Sequence, residues 1–167
     1  GIKRIKNALP IAYQNGKDLD ARTNMSLSSL LSGLSLANAG LGAVHGLAGP
    51  IGGMFDAPHG AICARLLPFV IEQNILSLQM RDPTNVALRR YQEIFHIFGY
   101  EKEDLSENID DFISYLSIFE VKPLSTYGIG RQHLQEIIGM AIKSSSMKAN
   151  PIVLTEHEIE NILMKAL

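Results

Sequence analysis

The segment Gly40–Pro68 reads GLGAVHGLAGPIGGMFDAPHGAICARLLP and carries two histidines, His45 and His59, fourteen residues apart. Its glycines and prolines are denser than a helical chain tolerates without a reason. Gly40 and Gly42 loosen the backbone, and a short helix is expected from Val44 to about Ala48, stopped by Gly49-Pro50 and Gly52-Gly53. Asp56 followed by Pro58 reads as a cap and a first-turn proline, so the next helix starts near Pro58. Pro68 is expected to kink or restart it before Phe69–Asn74.

Helical signals continue on both sides. Asp18 caps a helix to about Asn38, with Leu27, Leu30, Leu31 and Leu34 spaced along one face that reads as buried. Asp82-Pro83 opens another, whose buried stripe is Val86, Leu88, Tyr91, Ile94, Phe95 and Phe98. Further helices are expected over Asp104–Phe119, Gly130–Ser144 and Thr155–Leu167. Thr155 with Glu158 three residues on forms a capping box in the last of these. No alternating strand pattern, internal repeat or low-complexity linker interrupts the series. The sequence predicts a single all-α domain.

Composition narrows the function. A net charge of −2 without any basic run argues against a nucleic-acid partner. Cys63 is the lone cysteine, which rules out an intrachain disulfide and a cysteine-built metal cage and fits a reducing, cytoplasmic setting. The opening GIKRIKNALP lacks the apolar core of a signal peptide. Thr23–Phe55 contains no Asp, Glu, Lys or Arg, but five serines, two asparagines and His45 break the apolar uniformity a bilayer demands. A buried helix is expected there, and no membrane partner.

Imidazole is the commonest protein ligand for borderline transition metals. A first-turn position for His59 places it where the helix dipole disfavours imidazolium, and a metal ligand must be unprotonated. Two histidines alone are short of the three or more ligands a catalytic metal usually takes. From the residues alone, the pair is either half of a metal shell or two partly buried rings satisfied by backbone carbonyls.

The same stretch closely resembles the signature region of the iron-containing alcohol dehydrogenases, in which a histidine precedes a small-residue segment, then Pro-His-Gly and Leu-Leu-Pro. The likeness extends over the chain, through Asp20-Ala21-Arg22, the turn Tyr127-Gly128-Ile129, and Asn150-Pro151 before the terminal capped helix. It implies the C-terminal helical domain of that family, with His45 and His59 as two of four metal ligands. It also implies that the other two ligands, an aspartate and a histidine, and the N-terminal nucleotide-binding domain lie outside residues 1–167. The chain is then expected to be a deliberate truncation of a longer enzyme, inactive alone and weak in metal binding. For the intact enzyme the resemblance implies hydride transfer between an alcohol or aldehyde and NAD or NADP, with iron(II) or zinc(II) as Lewis acid. Association into a homo-oligomer is left open.

Gly49 stands where many members carry a further histidine near the nicotinamide, so no catalytic or cofactor-binding residue is assigned. Cys63 stands where asparagine is frequent and is read as a small buried structural residue. Arg65 reads as a structural ion pair ahead of an anion-steering group, His96 as a core or boundary residue, and His133 and His157 as surface residues. Tyr127 reads as packing. The competing reading is a non-catalytic helical binding or oligomerisation module built on this fold.

Overall fold

The computed structural model describes residues 1–167, and every regular element in it is helical. Eight α-helices follow in order: α1 (Ile2–Gln14), α2 (Leu19–Ala39), α3 (Ala43–Met54), α4 (His59–Arg81), α5 (Val86–Phe98), α6 (Leu105–Ser117), α7 (Leu134–Lys143) and α8 (Glu156–Ala166). They gather into two compact units, a division that the uninterrupted helical pattern did not mark. One comprises residues 1–40 and 89–120, the other residues 41–88 and 121–167.

In the first unit α1 packs along α2, where Ser28 donates to the carbonyls of Asn24 and Gly1. Asp18 caps α2 as expected, accepting from the Ala21 amide at 2.8 Å. The leucine face of α2 does not become core. Leu30 and Leu34 are 61% and 54% exposed, and only Ala21 and Ser28 of this helix are buried. The face turned to α1 carries Ala21 and Ser28 beside the half-buried Leu31, since serine and alanine let two backbones approach where a row of leucines would hold them apart. The stripe expected on α5 is likewise shallower, for Val86 is exposed and Phe95 alone is fully buried. Phe95, Phe98, Phe112, Tyr115 and Phe119 make successive edge-on ring contacts between α5 and the residues of and just after α6. Asp104 caps α6 by accepting from the Ser106 amide.

The second unit holds the larger core, drawn from α3, α4, α7 and α8 with Leu124, Ile129 and Leu154 from the connections. Here α3 runs past the expected stop at Ala48, through Pro50, to Met54. An interior proline costs about 3 kcal/mol. Leu47 and Ile51, one turn apart and both 0% exposed, each return about 1.5–3 kcal/mol on burial, which matches or exceeds it. Pro68 does not restart α4 either: the helix is continuous over 23 residues, with Leu66, Pro68 and Val70 buried. Asp56 is exposed and caps nothing, and no side chain caps α4 after Pro58.

By length and composition α4 could cross a membrane. Buried Asn74 and Ser77 and its contacts with α3 and α8 instead give it the character of a core helix. The Thr23–Phe55 stretch is divided between α2 and α3 at Gly40, whose φ of 76° only glycine adopts readily. Gly128, at φ 80°, plays the same part in the Tyr-Gly-Ile turn and sets Ile129 into the core at 2% exposure. The capping box of α8 forms as read, with the Thr155 amide donating to Glu158 Oε2 and the Glu158 amide to Thr155 Oγ1.

Candidate metal centre

Both histidines lie at helix starts. His45 is in the first turn of α3, whose terminal Ala43 amide donates to Asn150 Oδ1 at 3.1 Å. His59 is the first residue of α4, directly after Pro58. The short connection Phe55–Pro58 folds the two helices together, and the imidazole centroids stand 5.5 Å apart with their planes at 50°. His45 is half-buried and His59 exposed.

One further donor joins them. Cys63, one turn along α4 from His59, places its Sγ 3.5 Å from His59 Nε2. One donor atom each from His45, His59 and Cys63 falls within 4.8 Å of the others. The lone cysteine is therefore half-buried beside the histidine pair rather than sealed in the core. The spacing His59-x-x-x-Cys63 was visible as an i, i+4 pair on a helix. From sequence alone a single small thiol among apolar residues reads as packing.

The electrostatics suit neutral donors. Burial lowers the pKa of His45, and the neighbouring His59 lowers it further, so its imidazole stays unprotonated and keeps a lone pair. Burial pushes the Cys63 thiol up, which makes it a poor free nucleophile without a cation beside it. Neither imidazole is hydrogen-bonded to a backbone carbonyl: the His45 ring stacks at a tilt on the His59 ring, and His59 Nε2 meets Cys63 Sγ. Two uncommitted nitrogens and a sulfur converging on one point fit a divalent transition metal.

Beyond His45, α3 presents Gly49 and Gly53 at successive turns, and a Cβ at either would meet no atom within 4 Å. That leaves a bare strip of helix running from the donors. Arg65 pairs with no carboxylate. Its Nε and Nη2 donate to the carbonyls of Ala166 and Lys165 at 2.8 and 3.1 Å, closing the C-terminus of α8, and its guanidinium lies 5.1 Å from the Phe69 ring centroid. His96 is exposed rather than core, and His157 is exposed as read. His133 is half-buried: its Nδ1 accepts from the Gly130 amide at 3.0 Å, and its ring lies edge-on to Phe55. Tyr127 packs against the core.

Alcohol dehydrogenase 4 of Saccharomyces cerevisiae strain S288c is 34% identical over 167 residues, covering 99% of this chain and 42% of its own length. The 1,3-propanediol dehydrogenase of Klebsiella pneumoniae is 33% identical with the same coverage, 99% and 42%. The chain thus spans about two fifths of these relatives. Among solved structures, the alcohol dehydrogenase from Oenococcus oeni superposes with a TM-score of 0.85 at 29% identity, over 99% of this chain and 43% of that one. The model of the Fe-containing alcohol dehydrogenase family, C-terminal, matches residues 1–167. Its all-helical fold and its sequence from end to end together make this chain a member of the iron-containing alcohol dehydrogenase family, corresponding to the family's C-terminal part.

Proposed function

We propose that this chain is the helical, metal-holding part of an alcohol dehydrogenase that interconverts alcohols and aldehydes with NAD or NADP. The observation that carries the reading is the convergence of the His45 and His59 rings at 5.5 Å, with donor atoms free to bind. His45 and His59 would hold iron(II) or zinc(II). When bound, the metal supplies Lewis acidity toward the substrate oxygen, and the nicotinamide accepts or returns the hydride.

The chain's own residues set the stage for that chemistry. The half-buried setting of His45 keeps its imidazole neutral and aimed across the start of α4. Gly49 and Gly53 keep side chains out of the strip beside it, so a planar ring or a short alcohol can approach the helix closely. The Asn150 cap on α3 fixes the turn that carries His45. Nucleotide binding falls mainly to residues outside this match, because the relatives are more than twice as long. In the same reading the protein is cytoplasmic, acts on small molecules rather than nucleic acid or membranes, and has the exposed α2 leucines available for contact between copies.

The test is an alcohol panel assayed with NAD and NADP, together with metal analysis, on the enzyme at its natural length. His45→Ala and His59→Ala should each lose bound metal and most of the turnover. Full metal content and full rate in both variants would overturn the reading.

A further inference from the structure

The sulfur beside the histidine pair carries the reading of this centre further. Tetrahedral zinc with a metal–nitrogen bond of about 2.05 Å and a metal–sulfur bond of about 2.3 Å sets its nitrogen and sulfur ligands about 3.6 Å apart. The separation of His59 Nε2 from Cys63 Sγ is 3.5 Å. This edge of a coordination sphere is already drawn by α4 itself, whose i, i+4 spacing places both side chains on one face. His45 closes the third corner, with all three donor atoms inside 4.8 Å and no other partner for its ring. Asp56, the nearest carboxylate in sequence to this turn, is exposed and outside the group.

We propose that Cys63 is a third protein ligand at this centre, so that the chain presents a His45–His59–Cys63 donor set that prefers zinc(II) or cobalt(II) to iron(II). The proposal rests on the metal-holding reading above and deepens it by naming a donor and a metal class. A thiolate is a soft ligand that selects zinc over harder ions, and iron(II) already stands below cobalt(II) and zinc in the general affinity order. Formation of the metal–sulfur bond releases the thiol proton to the buffer, and metal and ligand keep their oxidation states. Three donors from this chain leave the rest of the coordination sphere to ligands outside residues 1–167 and to substrate. The chain then binds metal by itself more tightly than two histidines would allow.

The experiment is an anaerobic titration of the 167-residue chain with cobalt(II), followed by zinc competition against a chromophoric chelator. One cobalt per chain should bind with an intense near-ultraviolet sulfur-to-cobalt charge-transfer band. Cys63→Ala and Cys63→Ser should lose that band and bind zinc at least about tenfold more weakly, the low end of what loss of even an orienting partner costs. Iron(II) in excess should fail to displace zinc from the unmodified chain. Zinc should also protect Cys63 from alkylation, a measurement that needs no variant to fold. Cobalt uptake without the charge-transfer band, at an affinity unchanged in Cys63→Ala, would overturn the thiolate ligand and leave the histidine centre standing. Uptake unaffected by His59→Ala would sink the centre itself, whereas no uptake at all would overturn the three-donor set and leave the histidine pair to the test on the enzyme at its natural length.

Discussion

Asn150 and Asn74 exchange reciprocal amide hydrogen bonds, at 2.7 and 3.2 Å, between the segment preceding α8 and the middle of α4. The same Asn150 oxygen accepts from the Ala43 amide at the start of α3, and its nitrogen also donates to the Ile152 carbonyl. One side chain thus ties together the helix that carries His45 and the helix that carries His59. Asn74 is 2% exposed, so water offers no ready substitute. Asn150→Ala should cost about 1–3 kcal/mol, the penalty for withdrawing partners from buried polar groups. Urea unfolding measures the loss, and cobalt affinity should fall with it because the α3 start is no longer pinned. A variant with unchanged midpoint and unchanged affinity would contradict this role.

Gly53 tests how bare the α3 strip is. Beyond its own helix and chain neighbours no atom lies within 4 Å of a Cβ built there, and the residue is helical and exposed. Gly53→Ala, unlike a change at Gly49 ahead of Pro50, should therefore stabilise the chain, by up to about 0.5–1 kcal/mol, through helix propensity alone. A lower melting temperature would mean that the strip is closed in a way the backbone does not reveal.

Much of the fold was legible because its signals are local. Asp18, Asp104 and Thr155 cap helices where their side chains can reach an amide two or three residues on. The readings that failed depend on distant partners. The length of α3 is decided by the burial of Leu47 and Ile51 against the other helices of its unit, which no helix-breaking rule can weigh. Arg65 meets carbonyls a hundred residues away, and Asn150 looked like simple punctuation before Pro151. At the candidate site, the sequence names both histidines whose rings the fold brings together. The approach of Cys63 to them is not legible there, because spacing shows that two side chains share a face and not that a third ring arrives from α3.

The two leucine classes should separate cleanly in unfolding experiments. Leu30→Lys and Leu34→Lys, at positions 61% and 54% exposed, should each change stability by no more than about 0.5 kcal/mol. Leu66→Ala, at a position with 0% exposure in the centre of α4, should cost about 2–5 kcal/mol. Comparable losses at all three would restore the buried face that the heptad-like spacing suggested.

Arg65→Met keeps the aliphatic reach toward Phe69 but removes the two hydrogen bonds to the last carbonyls of α8. A cation at a helix C-terminus and charged hydrogen bonds, discounted for partial exposure, together set the expected loss at about 1–2 kcal/mol. Hydrogen exchange should localise the effect to fraying of the final turn, Leu163–Ala166. A loss spread uniformly over α4 would show instead that the stem of Arg65 matters more than its head.

Glu158 makes stability depend on acid. Burial by itself would raise its carboxyl, but hydrogen bonds from Ser77 and Thr155 and the charge of Arg81, 2.9 Å away, outweigh burial and bring the pKa below the ordinary value. A carboxyl depressed in the folded state binds its proton more readily once unfolded. Its contribution is therefore complete above the usual glutamate range, near pH ~4.3, and is lost as pH falls through the depressed folded value. Glu158→Gln should be less stable than the parent at pH 7, and the gap should narrow steadily below about pH 4 as the parent's carboxylate is neutralised. Chemical denaturation at several pH values reads this directly. A gap that stays constant into acid would assign the loss to the capping geometry of Thr155 and leave the Arg81 charge without a part in it.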